Sequence, residues 1–244
     1  MKNLTDVAFI LQARSGSTRV PNKMLKPFAG SCLFEIALKK ILNSSIIPKE
    51  SFYVSILDEE FVEIANKYDV NIYRRDPASI EEPVELPVVF GWHNSLPRPY
   101  KYWVSVNACN PILPIQTIDR FIHEFLSRDC RGMFGVIEKK TFLFDSNHSL
   151  MNGYEGEDKY LATLETKFCE PTYEAAHSLY AGRMEDIPNH IYTGTFKTPG
   201  DPLFFTMDPI EAFDIDWPWQ FEIAEAMYKQ NPKLSTVVDR WSGG

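Results

Sequence analysis

Cysteine is scarce and unpaired in this 244-residue chain: Cys32, Cys109, Cys130 and Cys169 lie far apart, with no ligand-like spacing. Neither a disulfide framework nor a thiolate zinc site is expected, and reduced thiols in a cytoplasmic protein are the default. Long apolar runs are also missing. No stretch approaches eighteen uninterrupted apolar residues, so no membrane span is expected. Asp6 interrupts the first apolar run and no small-residue cleavage site follows it, which argues against a signal peptide. Positive charge is in deficit, with a net charge of −8 and no basic stripe, which argues against nonspecific nucleic-acid binding. The chain has no G-x-G-x-x-G and no G-K-[ST] loop ending, which disfavours an ordinary dinucleotide oxidoreductase and a P-loop ATPase. There is no internal repeat or low-complexity linker, and the expectation is one domain over 1–244.

What is present is a regular alternation of strand and helix signals. DVAFILQA reads as a buried parallel strand, and SCLFEIALKKILN as a helix with Ser31 at its N-cap. SFYVSIL, EEFVEIANKYD and VNIYRR follow as strand, helix and strand. Then come YKYWVSVN, PIQTIDRFIHEFL and CRGMFGVIEKK as strand, helix and strand. EAFDIDW closes the pattern as a strand before the helix PWQFEIAEAMYKQ. The order is that of an α/β protein with a mostly parallel central sheet and helices on both faces. Residues 141–205 have weaker periodicity and suit substrate loops, a small antiparallel lobe or a subunit contact.

The positive charge that does exist is concentrated. LQARSGSTRVPNKMLKPFAG, Leu11 to Gly30, places Arg14, Arg19, Lys23 and Lys26 among small polar residues directly after the first strand. Gly16 permits close backbone approach, short polar residues expose N–H donors, and a following helix adds its positive end. Two readings are compatible with this stretch: a phosphate-binding loop and a solvated basic turn.

The same stretch resembles the N-terminal signature of the acylneuraminate and 3-deoxy-manno-octulosonate cytidylyltransferases, approximately A-R-x-G-S-x-R-x-P-x-K-x-x-x-x-x-x-G. Ala13, Arg14, Gly16, Ser17, Arg19, Pro21, Lys23 and Gly30 match it. The resemblance implies a three-layer Rossmann-like nucleotidyltransferase fold with a small insertion or dimerisation segment. It also implies that Ala13, Arg14, Ser15, Gly16, Ser17, Arg19 and Lys23 wrap the triphosphate of CTP, with Arg14 and Lys23 serving the chemical step.

At the other end, FDIDWPW places Asp214 and Asp216 two apart, so on a strand both carboxylates face one side. Such a pair suits a hard divalent ion, whereas Asp216 alone also suits a helix cap. DIDWPWQFEIAE resembles the family's closing D-I-D-x-P-x-D-F-x-x-A-E, in which those acids hold Mg²⁺. The family's later aspartate is Gln220 here. The implied reaction is attack of an acceptor oxygen on the α-phosphorus of CTP with loss of pyrophosphate.

The centre matches more loosely. By resemblance, Asn107 and Asn110 in VSVNACNPILP stand at nucleotide-contacting positions, and the relatives' arginine is replaced by Leu113. Arg75 is the better match to a nucleotide-proximal arginine than Arg74. His177 and Tyr180 fall where relatives approach the sugar acid, although a lone histidine is more often structural. Trp217 and Trp219 are expected to pack at a helix start. His93, His123, His148 and His190 show no metal spacing. The acceptor implied is an acidic small molecule, namely a nonulosonate or other ketosugar acid. A small phosphonate or phosphate acceptor, another nucleoside triphosphate and a catalytically silent binding protein are the alternatives. A homodimer is expected by resemblance, with 141–205 as the acceptor-binding or subunit-contact region.

Overall fold

The computed structural model describes residues 1–81, 83–153, 165–231 and 234. Part of the 141–205 region, 154–164, therefore lies outside the described residues. In chain order the strands and helices are β1 (Val7–Gln12), β2 (Pro27–Phe28), β3 (Ser31–Cys32), α1 (Leu33–Leu42), β4 (Phe52–Ile56), α2 (Glu59–Asn66) and β5 (Asn71–Arg74). They continue with α3 (Leu86–Val89), β6 (Tyr102–Asn107), α4 (Ile115–Ser127), β7 (Met133–Lys139), β8 (Thr172–Arg183), β9 (Leu203–Thr206) and α5 (Pro218–Gln230). Among the described residues no helix is long and apolar enough to cross a membrane.

Seven strands form one sheet in the order β5-β4-β1-β6-β8-β7-β9, in which only β8 runs antiparallel to its neighbours. The apolar run of β1 is continuous because both its faces are covered. Val7, Phe9 and Leu11 enter one core, and Ala8 and Ile10 enter the other. The first core also takes the buried faces of α1, α2, α4 and α5, and the second takes Trp92, Tyr100, Trp103 and Ile187. The second layer is thus made of short pieces: α3, a 3-10 turn at Gly91–Asn94 and another at Met184–Asn189.

Successive crossovers run from β1 through β4 to β5 and then return to the other side of β1 at β6. This reversal opens a crevice at the carboxyl ends of β1 and β6, where Gln12 and Asn107 lie in register. Ligands bind at such switch points in open α/β sheets.

Three local expectations are corrected. The 141–205 region contributes β8 and β9 to the central sheet itself, not to a separate antiparallel lobe. The basic loop does not run directly into α1, because the β2–β3 hairpin intervenes. Ser31 therefore sits in a strand, its hydroxyl bonded to the Glu35 carboxylate, while the first-turn N–H of Phe34 is taken by the Met24 carbonyl. The helix end is consequently not offered to the loop. Finally, Phe213–Asp216 belongs to no strand. Ile215 makes one ladder-like bond, from its N–H to the Cys109 carbonyl, and its own carbonyl accepts from the Lys23 ammonium.

Candidate active site

A cleft of about 1000 Å³ opens over the β1–β6 crevice. That is near the upper end of ordinary ligand sites, about 300–1,000 Å³. Ala13, Arg14, Ser17, Arg19, Lys23 and Arg75 line one half, with Asn107, Tyr180 and Asp216 around them. Ser15 and Gly16 belong to the same loop without lining the cleft.

The loop is held from outside. The Ala13 N–H donates to the Ser55 carbonyl, Ser15 N–H to the Asp58 carboxylate, and Arg14 Nη1 to the Ile80 carbonyl at 3.0 Å. Arg75 is buried beneath it. Its guanidinium donates to the carbonyls of Ala13 and Ser79 and to the Ser79 hydroxyl. Burial, assisted by the neighbouring Arg14, pushes Arg75 down to about 10. Arg74, by contrast, is an exposed partner of Glu59. A buried arginine held by neutral oxygens, with no carboxylate bonded to its guanidinium in these contacts, keeps positive charge near the cleft, a setting for anions.

The two ends of the sequence meet here. Arg19 Nη2 lies 2.6 Å from Asp216 Oδ1, its guanidinium 5.6 Å from the centre of the Trp217 ring. The Lys23 ammonium bonds the Ile215 carbonyl and stands 3.8 Å from the same Asp216 oxygen. Asp216 is therefore an ion-pair partner and not the helix cap. The cap is built by Gln220, whose Oε1 accepts from the N–H groups of Asp216 and Trp217, each at 2.7 Å. Trp217 and Trp219 are half exposed, so the expected packing role fails for both; the helix start leaves them at the surface.

Asp214 sits deeper. Burial raises its carboxyl to about 6 against the opposing pull of Lys23, with Asp216 pushing the same way as burial. Its Oδ1 is buried and has no hydrogen-bond partner among the described residues. No group of three or more His, Cys, Asp or Glu able to cage a metal occurs among the described residues. A buried carboxylate oxygen left without a donor, beside a second carboxylate, still fits a hard cation that takes its other ligands from phosphate and water.

His177 and Tyr180 come from an irregularity in β8. Pairing with β7 slips between Phe134 and Val136, and His177 adopts a left-handed backbone with φ of 48°. Its Nδ1 lies 2.9 Å from the Tyr180 hydroxyl. Tyr180 is raised by burial and then by Asp214, and His177 in turn lowers Asp214, so this pair borders the acids. Asn107 lines the cleft but its amide is engaged: Nδ2 donates to the His177 carbonyl at 2.6 Å, and Oδ1 accepts from Cys109 N–H at 2.9 Å. Asn110 is not at the cleft. It is 1% exposed beneath the turn after β6, where its backbone carbonyl accepts from Lys40.

A family profile described as Cytidylyltransferase matches residues 8–237. This chain belongs to the cytidylyltransferase family. It is similar to a pseudaminic acid cytidylyltransferase of Campylobacter jejuni, 24% identical over 252 aligned positions that cover 95% of this chain and 98% of that one. Among solved structures it resembles a CMP:2-keto-3-deoxy-manno-octonic acid synthetase complexed with CTP. The TM-score there is 0.66 at 10% identity, over 92% of this chain and 98% of that one. It also resembles the 4-diphosphocytidyl-2C-methyl-D-erythritol synthase of Anaerococcus prevotii, with a TM-score of 0.64 at 14% identity, over 92% and 96% of the two chains. At such identities these structures establish the fold. The cytidylyltransferase reaction joins CMP from CTP to an acceptor and releases pyrophosphate.

Several cleft residues of this cytidylyltransferase escaped sequence reading. Gln12 and Cys109 line it, and so do Phe90, Trp103, Tyr192 and Phe196. Gln12 was discoverable as the last residue of the first strand, at the switch point. The aromatic residues carried no signal, because their spacing in sequence is that of ordinary core residues.

Proposed function

We propose that this cytidylyltransferase activates an acidic sugar, a nonulosonate or another ketosugar acid, with Mg²⁺ held by Asp214 and Asp216. The observation that carries the reading is the contact of Arg19 and Lys23 with the Asp214–Asp216 segment at one cleft edge. Cations for a triphosphate and the Asp216 carboxylate thereby face the same cleft, with the buried Oδ1 of Asp214 two residues behind it. Arg14, Arg19 and Lys23 neutralise the phosphates, with Ala13 and Ser17 beside them on the cleft wall. As the acceptor hydroxyl oxygen bonds to the α-phosphorus and gives up its proton to water, the bond to the bridging oxygen breaks and pyrophosphate leaves toward the basic loop. Preorganised cations count most where charge develops, so Lys23, half sealed by Ile215, is best placed to stabilise that step. When bound, Mg²⁺ at the two acids supplies further charge neutralisation on the phosphate oxygens.

His177, Tyr180 and Asn107 border the acceptor in this reading. Similarity to the Campylobacter jejuni enzyme over nearly the whole of both chains supports a nonulosonate. The same reading includes a homodimer, supported by the exposed rings of Tyr173 on β8 and Phe204 on β9, 5.5 Å apart. A pyrophosphate-release screen with CTP and Mg²⁺ across sialic, legionaminic, pseudaminic and octulosonic acids, plus small phosphonates, tests it. Release with a sugar acid is expected. Release with a phosphonate alone replaces this acceptor class.

A further inference from the structure

The ion pair that joins the two ends of the chain has one fixed member and one movable one. Asp216 is fixed, because Gln220 Oε1 accepts from its backbone N–H. The Lys23 ammonium beside it is also fixed: the side chain is nearly buried and bonded to the Ile215 carbonyl. Arg19 is the movable member. Its side chain is half exposed, and Asp216 is its only charged partner among the described residues. Its guanidinium otherwise rests beside the exposed Trp217 ring. Both cations address the same carboxylate oxygen, Oδ1, at 2.6 and 3.8 Å.

In this arrangement each member of the pair occupies what a ligand of the other member needs. A phosphate oxygen that takes the Arg19 guanidinium must draw it off Asp216. A divalent ion that takes Asp216 Oδ1 must displace Arg19. Bound singly, either ligand breaks the pair on its own account. Bound together, they break it once for both, so each tightens the other, and by linkage the effect is reciprocal. The exchange needs no backbone movement, because exposed side chains change rotamer within nanoseconds. Lys23 stays on Ile215 throughout and keeps a cation beside the acid.

We propose that the Arg19–Asp216 pair is a latch that couples binding of the nucleotide to binding of the divalent ion, so that the free protein disfavours metal-free CTP. The inference rests on the reading of Asp216 as an ion ligand and adds the regulation of that site. An exposed ion pair shifts an equilibrium by about fivefold at most, so the latch sets a preference of that size and not an absolute block.

The test has two arms on the full-length protein, neither of which reads turnover. The first is a double-mutant cycle on CTP binding in EDTA, measured by calorimetry. Asp216→Asn should free Arg19 and tighten metal-free CTP about twofold to fivefold, and the same change in an Arg19→Ala background should bring no gain. Simple repulsion between Asp216 and the phosphates gives equal gains in both backgrounds; that result, or no gain in either, overturns the latch. The second arm counts Mn²⁺ bound to the nucleotide-free protein by electron paramagnetic resonance. Arg19→Ala, although it removes a nucleotide contact, should tighten Mn²⁺ by about twofold to fivefold. Arg14→Ala, which removes a cleft cation bonded to the Ile80 carbonyl, should change it less than Arg19→Ala does. Equal effects of the two substitutions, or none from Arg19→Ala, overturn the latch while leaving the metal reading intact. Mn²⁺ binding that Asp216→Asn does not weaken, or no bound Mn²⁺ at all, rejects the metal reading itself and the latch with it.

Discussion

Arg19 is already committed to Asp216, and an incoming triphosphate must compete for that guanidinium. Its side chain is 52% exposed, so truncation removes a charge without opening the core. Arg19→Ala is expected to weaken CTP binding by about tenfold to a hundredfold, the scale of one lost charge-assisted pair at about 1.5–3 kcal/mol. Calorimetry checks it, with circular dichroism confirming the fold; an unchanged Kd removes the loop from the site. Asp214→Asn keeps size and hydrogen-bonding capacity but loses the negative charge. Turnover should fall about a hundredfold or more, in line with several kcal/mol of lost transition-state stabilisation. Near-normal turnover with an unaltered Mg²⁺ dependence rejects the metal role. At this scale Arg14, Arg19 and Lys23 stood out as charged side chains among small residues, while Asp214 and Asp216 drew attention through their alternation and the family resemblance. Gln220 was not. In sequence it reads as a metal ligand lost, whereas the fold uses its amide as the N-terminal cap of α5. Asn110 misled for the same reason, since no pattern in one sequence distinguishes an amide at a cleft from one beneath a turn.

Among the elements, the turn joining β6 to α4 is fastened by an unusual clasp. Lys40, on the inner face of α1, is buried and donates to the carbonyls of Asn110 and Pro111 at 3.0 and 3.1 Å. Burial pushes it from its ordinary 10.5 down to about 7. Between those values the unfolded chain binds a proton that the folded chain has released. Lys40 therefore makes stability rise with pH across that window, and its contribution is least favourable below about 7. Melting temperatures of wild type and Lys40→Met between pH 6 and 9 should show a shallower rise in the variant; parallel curves reject the assignment. Strand signals were legible wherever an apolar run was paired on both sides, as in β1, β4 and β6. They failed at Phe213–Asp216, where alternation is perfect but Lys23 and a single backbone bond take the place of a neighbouring strand. They were faint in β8, whose slip around His177 breaks the two-residue period that would have announced it.

For the whole molecule, the alternating order predicted a parallel sheet, but no local pattern encodes which strand is inserted backwards. The antiparallel placement of β8 between β6 and β7 is settled only by long-range pairing. A net charge of −8 likewise hides a cleft lined by Arg14, Arg19, Lys23 and Arg75, because bulk charge averages away what folding concentrates. CTP at a hundredfold excess over its Kd should add about 2.7 kcal/mol of stability, raising Tm by about 5–10 °C for a chain of this size. A scan without that rise denies tight binding by the isolated protein. The contacts of Lys23 with Ile215 and of Arg19 with Asp216 close chain separations of 192 and 197 residues. Ribosomes add about 5–20 residues per second, so the basic loop emerges roughly 10–40 s before its carboxylate counterpart exists. During that interval a nascent chain carries the cations of the proposed site without the acids, and under that proposal CTP turnover should begin only after Asp216 has been made. The contact of the two segments is therefore a late, long-range event in the folding of this domain.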